Sequence, residues 1–464
     1  MACDPDRRPS GGERYVIRRL FTLSAVGVLV WLLLRIVEIS PSSTPAEGTF
    51  MLGFALLSAA LLGEIVEHLS LPRITGYMLA GILFGPFVAN LLSARVLEPL
   101  SALNEMAFAF IGLAAGAELK LAILKGRWRS IVLLIVCTAT VVMLGVGGFF
   151  FVSVSWLGIL GDLPPLQVLA VAGMVGVIAA ARSPSSAIAI IAETKADGPF
   201  SETILGVSVA MDVVVIGLFA VATAFAGLAF APEQGLDLAF VFEVTGEIAV
   251  SIALGVLLGA IIGLYLKRKG PQVPLVIVGL CFLVYRFSEI MGRYLEETHH
   301  LGVGLEPLLI CAAAGFTIQN LSHQGTRLLG AMDRVALPVF VVFFTLTGAR
   351  LDLGALAASW GIALAIAAFR IAMILLGTRL ATSLAGDPKP FRRHCWLGFV
   401  TQAGLSLALI SQFESQFPDW GTGLATVLVA VVAINQLIGP VAFKMALEMV
   451  GEARRGSSPW KGRS

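Results

Sequence analysis

One acidic residue, Asp212, lies inside an otherwise apolar stretch that runs from residue 206 to residue 217 (GVSVAMDVVVIG). It falls about twelve residues, or roughly 18 Å of helix, beyond the start of its predicted helix. A carboxylate withdrawn from water favours a bound proton or a bound cation over a bare negative charge. Asp212 is therefore a candidate for proton or cation binding, and a carboxylate that is salt-bridged for packing is the alternative.

Polar residues interrupt two other apolar segments. The first reads AARSPSSAI over residues 180–188, where Pro184 removes a helix hydrogen bond. The second reads TQAGLS over residues 401–406 and contains Gly404. Hydroxyl, amide and carbonyl groups at such breaks can replace part of an ion's hydration shell. The candidate side chains are Ser183, Ser185, Ser186, Thr401, Gln402 and Ser406.

Two arginines also lie deep within apolar segments. Arg182 belongs to the first break, and Arg370 lies in AAFRIA (residues 367–372), in the segment just before the second break. Charges in such places are costly and are usually paired. Each arginine is therefore a candidate counter-ion of Asp212. For Arg370, anchoring of a helix end or structural pairing is the alternative.

The composition identifies the class of protein that must position these groups. Of 464 residues, 57% are hydrophobic and 13% are charged, against about 45–50% and 25% in soluble domains. A water-soluble fold cannot bury so much apolar surface. The net charge of +2 is too small to indicate a nucleic-acid partner. The five cysteines show no ligand spacing, so we expect neither a disulfide framework nor a structural metal.

The apolar blocks have the length of membrane-spanning helices, which need about 20 residues each. We therefore predict an all-α polytopic membrane protein with about fourteen spans, whose ends are uncertain by about 2–4 residues. The predicted spans are 17–38, 50–68, 74–93, 103–121, 130–157, 165–194, 200–230, 239–266, 273–291, 302–320, 335–349, 355–380, 393–414 and 422–449.

Every second connection between the predicted spans is rich in Lys and Arg (the basic set), whereas the connections between them (the opposite set) hold few. Short cytoplasmic loops are enriched in these residues. The basic set and both basic tails are therefore predicted to be cytoplasmic, which requires an even number of spans. The first span has a second interpretation as a cleavable signal peptide, but its apolar run is long and no A-x-A site follows. The opposite set holds only Arg95, Arg293 and Arg350. The basic set holds Arg73, Lys120, Lys125, Arg127, Arg129, Lys195, Lys267, Arg268, Lys269, Arg327, Arg334, Lys389, Arg392 and Arg393.

The two breaks fall in the sixth and thirteenth predicted spans, so the broken helices run in opposite directions across the membrane. An inverted repeat requires this arrangement, and paired interruptions are typical of the binding site of a secondary transporter. Two unrelated proline or glycine kinks are the alternative.

Several short motifs together resemble a known family. In order, they are residues 71–86 (LPRITGYMLAGILFGP), 116–119 (GAEL), the Ser-Pro break, Asp212, 343–353 (FFTLTGARLDL), 401–406 (TQAGLS) and 435–440 (NQLIGP). Each motif is weak alone, but their order and spacing are specific. Over roughly residues 50–450 the chain resembles the monovalent cation:proton antiporters, on the branch of the bacterial sodium/proton and potassium-efflux antiporters.

The resemblance implies inverted repeats with two crossing discontinuous helices, in a thirteen-span fold to which this chain adds an N-terminal helix. It also implies a movement of core against scaffold. The implied divisions are an N-terminal tail and extra helix (1–48), scaffold or dimerisation helices (49–122), the first half of the core transport domain (130–230), a connecting helix (239–266), further scaffold helices (270–349), the second half of the core (355–449) and a cytoplasmic tail (450–464).

The function implied by the resemblance is exchange of Na⁺ or K⁺ for H⁺ by alternating access, as in pH homeostasis. The expected protein is a homodimer in the lipid bilayer of the bacterial inner membrane, with Asp212 as ion and proton site. The family usually places Asp or Asn before this carboxylate, where the chain has Met211. A lone carboxylate favours one cation for one proton. The resemblance also favours Arg370 as counter-ion, because Arg182 replaces a residue that is usually small.

Two further carboxylates, Glu118 and Glu306, are candidates for gating. Solvation near a span end is the alternative for Glu118, and stabilisation of a helix N-terminus is the alternative for Glu306. Two other functions stay open: a sodium-coupled organic anion carrier with Arg182 as anion ligand, and a sensor or channel subunit that transports nothing. We expect neither an enzyme nor a cofactor, because the sequence shows no nucleophile, base and oxyanion set.

Overall fold

The computed structural model describes residues 45–69, 71–157, 163–230, 238–267, 272–299, 305–322, 324–402, 404–417 and 421–453. The predicted span 17–38 and most of both basic tails lie outside the described residues. Every regular element within these ranges is a helix. The prediction of an all-α protein is therefore confirmed for the described part of the chain.

The helices follow the predicted apolar blocks closely. The first eight are α1 (Pro45–His68), α2 (Arg73–Phe84), α3 (Ala94–Leu97), α4 (Ser101–Glu118), α5 (Leu121–Leu157), α6 (Pro165–Ala180), α7 (Pro184–Thr194) and α8 (Pro199–Phe230). The others are α9 (Leu238–Lys267), α10 (Val273–His299), α11 (Pro307–Thr317), α12 (Gly325–Ala349), α13 (Leu353–Ala385), α14 (Lys389–His394), α15 (Gly404–Gln416) and α16 (Gly421–Val450).

Nine helical segments of the described ranges are long and apolar enough to cross a membrane. One of them, Pro165–Thr194, comprises α6 and α7 together. Two further apolar helices, Arg73–Phe84 and Pro307–Ser322, are shorter. A polytopic membrane protein is thus confirmed, whereas the total of about fourteen spans stays a prediction.

Both predicted helix breaks are present. Helix α6 ends at Ala180 and α7 begins at Pro184, because proline fits the first turn of a helix but not its interior. In the predicted span 393–414, α14 passes into a 3₁₀-helix, Cys395–Phe399, and α15 begins only at Gly404. We call α6–α7 the first broken helix, and α14, the 3₁₀-helix and α15 the second broken helix.

The chain forms two compact units. The smaller comprises the described residues of Met1–Asn104 together with Pro338–Leu351. Its helices approach closely at glycine residues. If Gly81 carried a Cβ atom, that atom would lie 2.1 Å from the carbonyl oxygen of Thr345, and a Cβ atom on Gly348 would lie 2.3 Å from the carbonyl oxygen of Met78. In membranes, helices associate through van der Waals packing, and small residues let the two backbones come close enough for it.

The larger unit comprises Glu105–Leu337 and the described residues of Asp352–Ser464. It contains both broken helices, α8 and α16. Helices α5 and α13 pack side by side, where Phe149 stacks on Phe369 at a ring-centroid distance of 4.6 Å. The next helix also lies close, since a Cβ on Gly176 of α6 would meet the carbonyl oxygen of Met143 at 2.3 Å.

Two carboxylates of the larger unit fix helix ends by long-range contacts. Asp387, just after α13, accepts hydrogen bonds of 2.6 Å from both Arg127 and Ser130 of α5. Glu452, just after α16, accepts bonds from the backbone N–H groups of Phe200 and Ser201 at 2.7 and 2.8 Å. The second carboxylate thereby caps the N-terminus of α8, where a negative charge is stabilising.

Replacing Asp387 by Ala is expected to lower the free energy of unfolding by about 3 kcal/mol, because it leaves the half-buried Arg127 without its carboxylate. Thermal unfolding in detergent measures the effect. Arg286→Gln is the matched control, since it removes an exposed i,i+3 pair with Glu289 that contributes at most about 1 kcal/mol. Equal losses in the two variants would contradict the structural role of Asp387.

Candidate functional site

Asp212 lies in the interior of α8 with 5% of its surface exposed. Neither carboxylate oxygen has a hydrogen-bond partner among the described residues. Buried polar atoms in folded proteins are almost always satisfied, so an unsatisfied carboxylate calls for an explanation. One explanation is a site whose partner is a bound proton or cation.

The two broken helices meet at their breaks. The backbone N–H of Ser183 donates to the carbonyl oxygen of Thr401 at 3.2 Å. Ser183 also caps α7, since its hydroxyl accepts a hydrogen bond of 3.2 Å from the N–H of Ser186. The N-cap position explains why a serine precedes Pro184 at this point.

The predicted serines form one cluster. The hydroxyl of Ser183 lies 2.9 Å from that of Ser185 and 3.1 Å from that of Ser186. All three residues are buried. The three hydroxyls thus lie together and offer oxygen atoms at the first break, and their role as ion ligands stays a prediction.

At the second break, the side chain of Gln402 connects three elements. Its amide nitrogen donates to the carbonyl oxygen of Ile178 at 3.1 Å and to the hydroxyl of Ser406 at 3.4 Å. Its amide oxygen accepts a hydrogen bond of 2.8 Å from Asn435 of α16. Gln402 therefore positions the break against α6 and α16.

Helix α16 also touches the second break through a glycine. A Cβ on Gly439 would lie 2.6 Å from both Cα and Oγ1 of Thr401. No larger residue fits there without displacing the backbone of the break. The NQLIGP motif (residues 435–440) thus supplies Asn435 and Gly439 as two contacts to the same break.

Arg370, in α13, is fully buried with 0% exposure and connects the two breaks. Its guanidinium donates to the carbonyl oxygens of Ala179 at 2.7 Å, Ala181 at 3.0 Å and Val400 at 2.8 Å. These carbonyls end α6 and the 3₁₀-helix, where helix dipoles are negative. The expectation that Arg370 is the counter-ion of Asp212 stays a prediction. The carbonyls take three of its five N–H donors, and the structure gives no ion pair within 4.0 Å between Arg370 and Asp212.

Arg182 takes a different position at the first break. It is 2% exposed, it donates to the hydroxyl of Thr138, and its guanidinium lies 4.1 Å from the ring centroid of Phe399. Its Nε and Nη1 atoms have no hydrogen-bond partner among the described residues. The guanidinium therefore keeps unused donors within the protein interior.

Burial is the largest influence on the charge of Asp212, followed by the charges of Glu306 and then Arg182. The structure gives no ion pair within 4.0 Å between Asp212 and Arg182. Glu306 is the N-cap residue of α11, and its N–H donates to the hydroxyl of Ser251 at 3.3 Å. Asp212 therefore experiences one charge from the start of α11 and one from the first break.

Glu118 lies in a different environment. It ends α4, and the charges that act on it are those of Lys120, Asp333, Asp197 and Glu202. Glu306 thus acts on the charge of Asp212. Glu118 instead interacts with a separate group of charged residues, and Asp212 is not among them.

Some residues that hold the site were not among the sequence candidates, although Asn435 and Gly439 belong to the NQLIGP motif. Thr138 and Phe399 hold Arg182, and Asn435 holds Gln402. Thr138 and Phe399 lie in ordinary apolar context, so no pattern distinguishes them. Asn435 and the adjacent Gln436 form a polar pair within apolar α16, and this pair was a signal that could have identified Asn435.

Comparisons with known proteins agree with this architecture. The profile of the family described as "Sodium/hydrogen exchanger, transmembrane" matches residues 54–449. A curated relative, "Probable Na(+)/H(+) antiporter 3" of Methanocaldococcus jannaschii, is 27% identical over 174 residues. That match covers 37% of this chain and 40% of the relative, so less than half of the relative's length is matched.

Two solved structures of the sodium proton antiporter MjNhaP1 from Methanocaldococcus jannaschii share the fold. One, at pH 8, has a TM-score of 0.63 at 18% identity and covers 87% of this chain and 99% of the other. The second, from electron microscopy, has a TM-score of 0.70 at 19% identity and covers 89% and 100%. Since the family profile matches most of the chain, this integral membrane protein belongs to the sodium/hydrogen exchanger family.

Proposed function

We propose that the chain exchanges a monovalent cation, Na⁺ or K⁺, for H⁺ by alternating access, with Asp212 as the group that binds either. The observation that carries the proposal is a buried carboxylate with both oxygens unpartnered, beside two interrupted helices. The antiporters named among its relatives support the same reaction.

The exchange follows from competition for one charge. A bare carboxylate in a dry interior is costly, so Asp212 is expected to hold either a proton or a cation. Each neutralises the charge and excludes the other. If the site changes its exposed side only when occupied, then cation movement one way requires proton movement the other way.

The cation also needs ligands that replace its hydration shell. Backbone carbonyls released at helix interruptions and side-chain hydroxyls are suitable for alkali cations. In our proposal, the hydroxyls of the serine cluster, Thr401 and Ser406 and the amide of Gln402 supply this set. Met211 contributes no ligand, so Asp212 provides the charge alone.

We assign different roles to the two arginines. Arg370 neutralises the negative ends of the two half-helices, as its three carbonyl bonds indicate. Arg182 is the counter-ion that acts on Asp212 at a distance, which lowers the cost of the ionised carboxylate between binding events. Glu306 is proposed as a gating carboxylate on the path to Asp212.

The wider organisation is part of the same proposal. Residues 130–230 and 355–449 form the moving core, and residues 49–122 and 270–349 form a scaffold through which the protein dimerises. The protein lies in a bacterial inner membrane with both termini in the cytoplasm. These assignments rest on the resemblance and on the distribution of basic loops.

A second function is favoured by one observation, the unused Nε and Nη1 donors of the buried Arg182. A guanidinium fork matches a carboxylate, so a sodium-coupled carrier of organic anions is the alternative. Uptake of labelled carboxylate solutes into proteoliposomes, with and without a sodium gradient, distinguishes it from the exchanger.

Asp212→Asn is expected to abolish exchange while the protein stays folded, because an amide cannot alternate between a proton and a cation. The measurement is collapse of an imposed pH gradient in proteoliposomes on addition of Na⁺, K⁺ or Li⁺ in turn. Glu448→Gln, an exposed carboxylate on α16, is the matched control and should retain full rates. Cation-dependent proton flux in the Asp212 variant would refute the assignment.

Exchange is expected to be independent of membrane potential, because one Asp212 carries one charge each way. The rate is measured in liposomes whose potential is clamped with valinomycin and K⁺, with Na⁺ as the exchanged cation. Clear acceleration by the imposed potential would instead indicate a second titrating carboxylate, for which the structure offers Glu306. Glu306→Gln should then remove the acceleration.

The two arginines should differ in what their removal changes. Arg370→Ala leaves three buried carbonyls without a donor, at about 1–3 kcal/mol each, and should lower the unfolding temperature strongly. Arg182→Ser removes a positive charge that favours ionised Asp212. It should therefore move the pH optimum of exchange upward and tighten apparent cation affinity at alkaline pH.

Thermal unfolding and pH profiles of exchange are measured for both arginine variants and the wild type. An unchanged pH profile in Arg182→Ser, with the protein folded, would show that Arg182 is not the counter-ion. An unchanged unfolding temperature in Arg370→Ala would contradict the role of Arg370 in stabilising the two helix breaks.

A further inference from the structure

A cluster of basic side chains lies away from the ion site, where α5 begins. Arg127 has non-helical backbone angles (φ −124°, ψ 16°) that separate the first turns of α5 from the rest of the helix. Around this bend, Lys125, Trp128 and Arg129 are exposed, and 64% of the surface of Trp128 is accessible. The bend thus presents two cations and an indole at the surface.

A second basic segment is held beside the first. Arg127 pairs with Asp387 at 2.6 Å, and Arg129 donates to the carbonyl oxygen of Leu384 at 3.0 Å. These contacts bring the start of α14 next to the bend, with Lys389 and Arg393 exposed. We define the basic cluster as Lys125, Arg129, Lys389 and Arg393.

The two segments that form the basic cluster carry a net positive charge. Asp387 is the acidic residue within residues 121–130 and 386–394, and it is buried and already bonded to Arg127 and Ser130. The basic cluster therefore faces outward without an acidic partner from either segment. Such a surface attracts an anion, and its exposure suits one that arrives from outside the protein fold.

Two rows of exposed apolar side chains, which we call the apolar stripes, begin beside the basic cluster. On α5, Trp128, Val132 and Val136 are exposed, and on α13, Leu376, Leu380 and Leu384 are exposed, with accessible fractions between 46% and 64%. In each helix the spacing of four residues puts the stripe on one face. Both stripes run along the adjacent helices α5 and α13 and end at the basic cluster.

We propose that this surface binds an anionic phospholipid, with the phosphate headgroup at the basic cluster and the acyl chains along the two stripes. A free phosphate or nucleotide could meet the same charges, and inorganic phosphate is therefore included in the test below. Tryptophan at the point where an apolar face meets basic residues is typical of the membrane interface. Basic pockets between membrane helices suit lipid headgroups.

The bound lipid would contact the two helices that hold the buried arginines. Helix α5 supplies Thr138, the acceptor for Arg182, and α13 carries Arg370. A lipid that contacts both α5 and α13 should therefore stabilise the larger unit. The proposal does not rest on the exchange reaction and stands or falls separately from it.

The test compares phosphatidylglycerol with phosphatidylcholine of the same acyl chains, added to the full-length protein in detergent. Native mass spectrometry measures lipid retention, and thermal unfolding measures stabilisation. The wild type should retain phosphatidylglycerol selectively. Each basic residue near a headgroup contributes about fivefold. The triple variant Lys125→Gln, Lys389→Gln, Arg393→Gln should therefore retain it roughly 100-fold less well.

The matched control is Lys195→Gln, Lys267→Gln, Arg334→Gln, which removes three exposed cations elsewhere and should bind as the wild type does. If the first triple variant does not fold, Lys389→Gln alone should still lose about fivefold. Equal retention of both lipids, equal loss in the control, or equal stabilisation by inorganic phosphate would overturn the proposal.

Discussion

A guanidinium group that is removed from water needs acceptors for its donors, and Arg370 finds them in the carbonyl oxygens of Ala179, Ala181 and Val400. These carbonyls are the ones that helix interruption leaves without intrahelical partners. The same three bonds therefore offset the desolvation of the Arg370 charge and satisfy carbonyl groups at the ends of two half-helices. Without a donor at this point, the three buried carbonyls would be unsatisfied, at a cost of about 1–3 kcal/mol each.

The remaining buried charges follow from that arrangement. Arg370 donates to three carbonyls and forms no ion pair with Asp212, so we propose Arg182 as the cation that acts on the carboxylate. Arg182 is itself held at a distance by Thr138 and the ring of Phe399. Among the described residues the carboxylate has no direct hydrogen bond, and an ion site that binds reversibly needs a carboxylate that is not already bonded. A direct buried ion pair would compete with every incoming cation.

The sequence predicted the elements better than the contacts between them. Asp212 and the two breaks were found because polar residues and Pro184 are conspicuous within apolar segments, and the helix limits followed from the length of those segments. The partner of Arg370 was missed because its acceptors are backbone carbonyls, which carry no signature in residue type. Thr138 and Phe399 were missed for a related reason: a threonine and a phenylalanine are ordinary in a membrane helix, and only the three-dimensional packing brings them to Arg182.

The second broken helix shows why the position of a break is harder to predict than its existence. The motif TQAGLS indicated an interruption at residues 401–406, whereas the chain leaves α-helical geometry earlier, at Cys395. The 3₁₀-helix brings the carbonyl of Val400 to Arg370 and the ring of Phe399 to Arg182. A continuous α-helix would rotate these groups differently, since it advances 100° per residue instead of 120°. The tighter helix is therefore selected by its two arginine contacts, which lie far away in sequence.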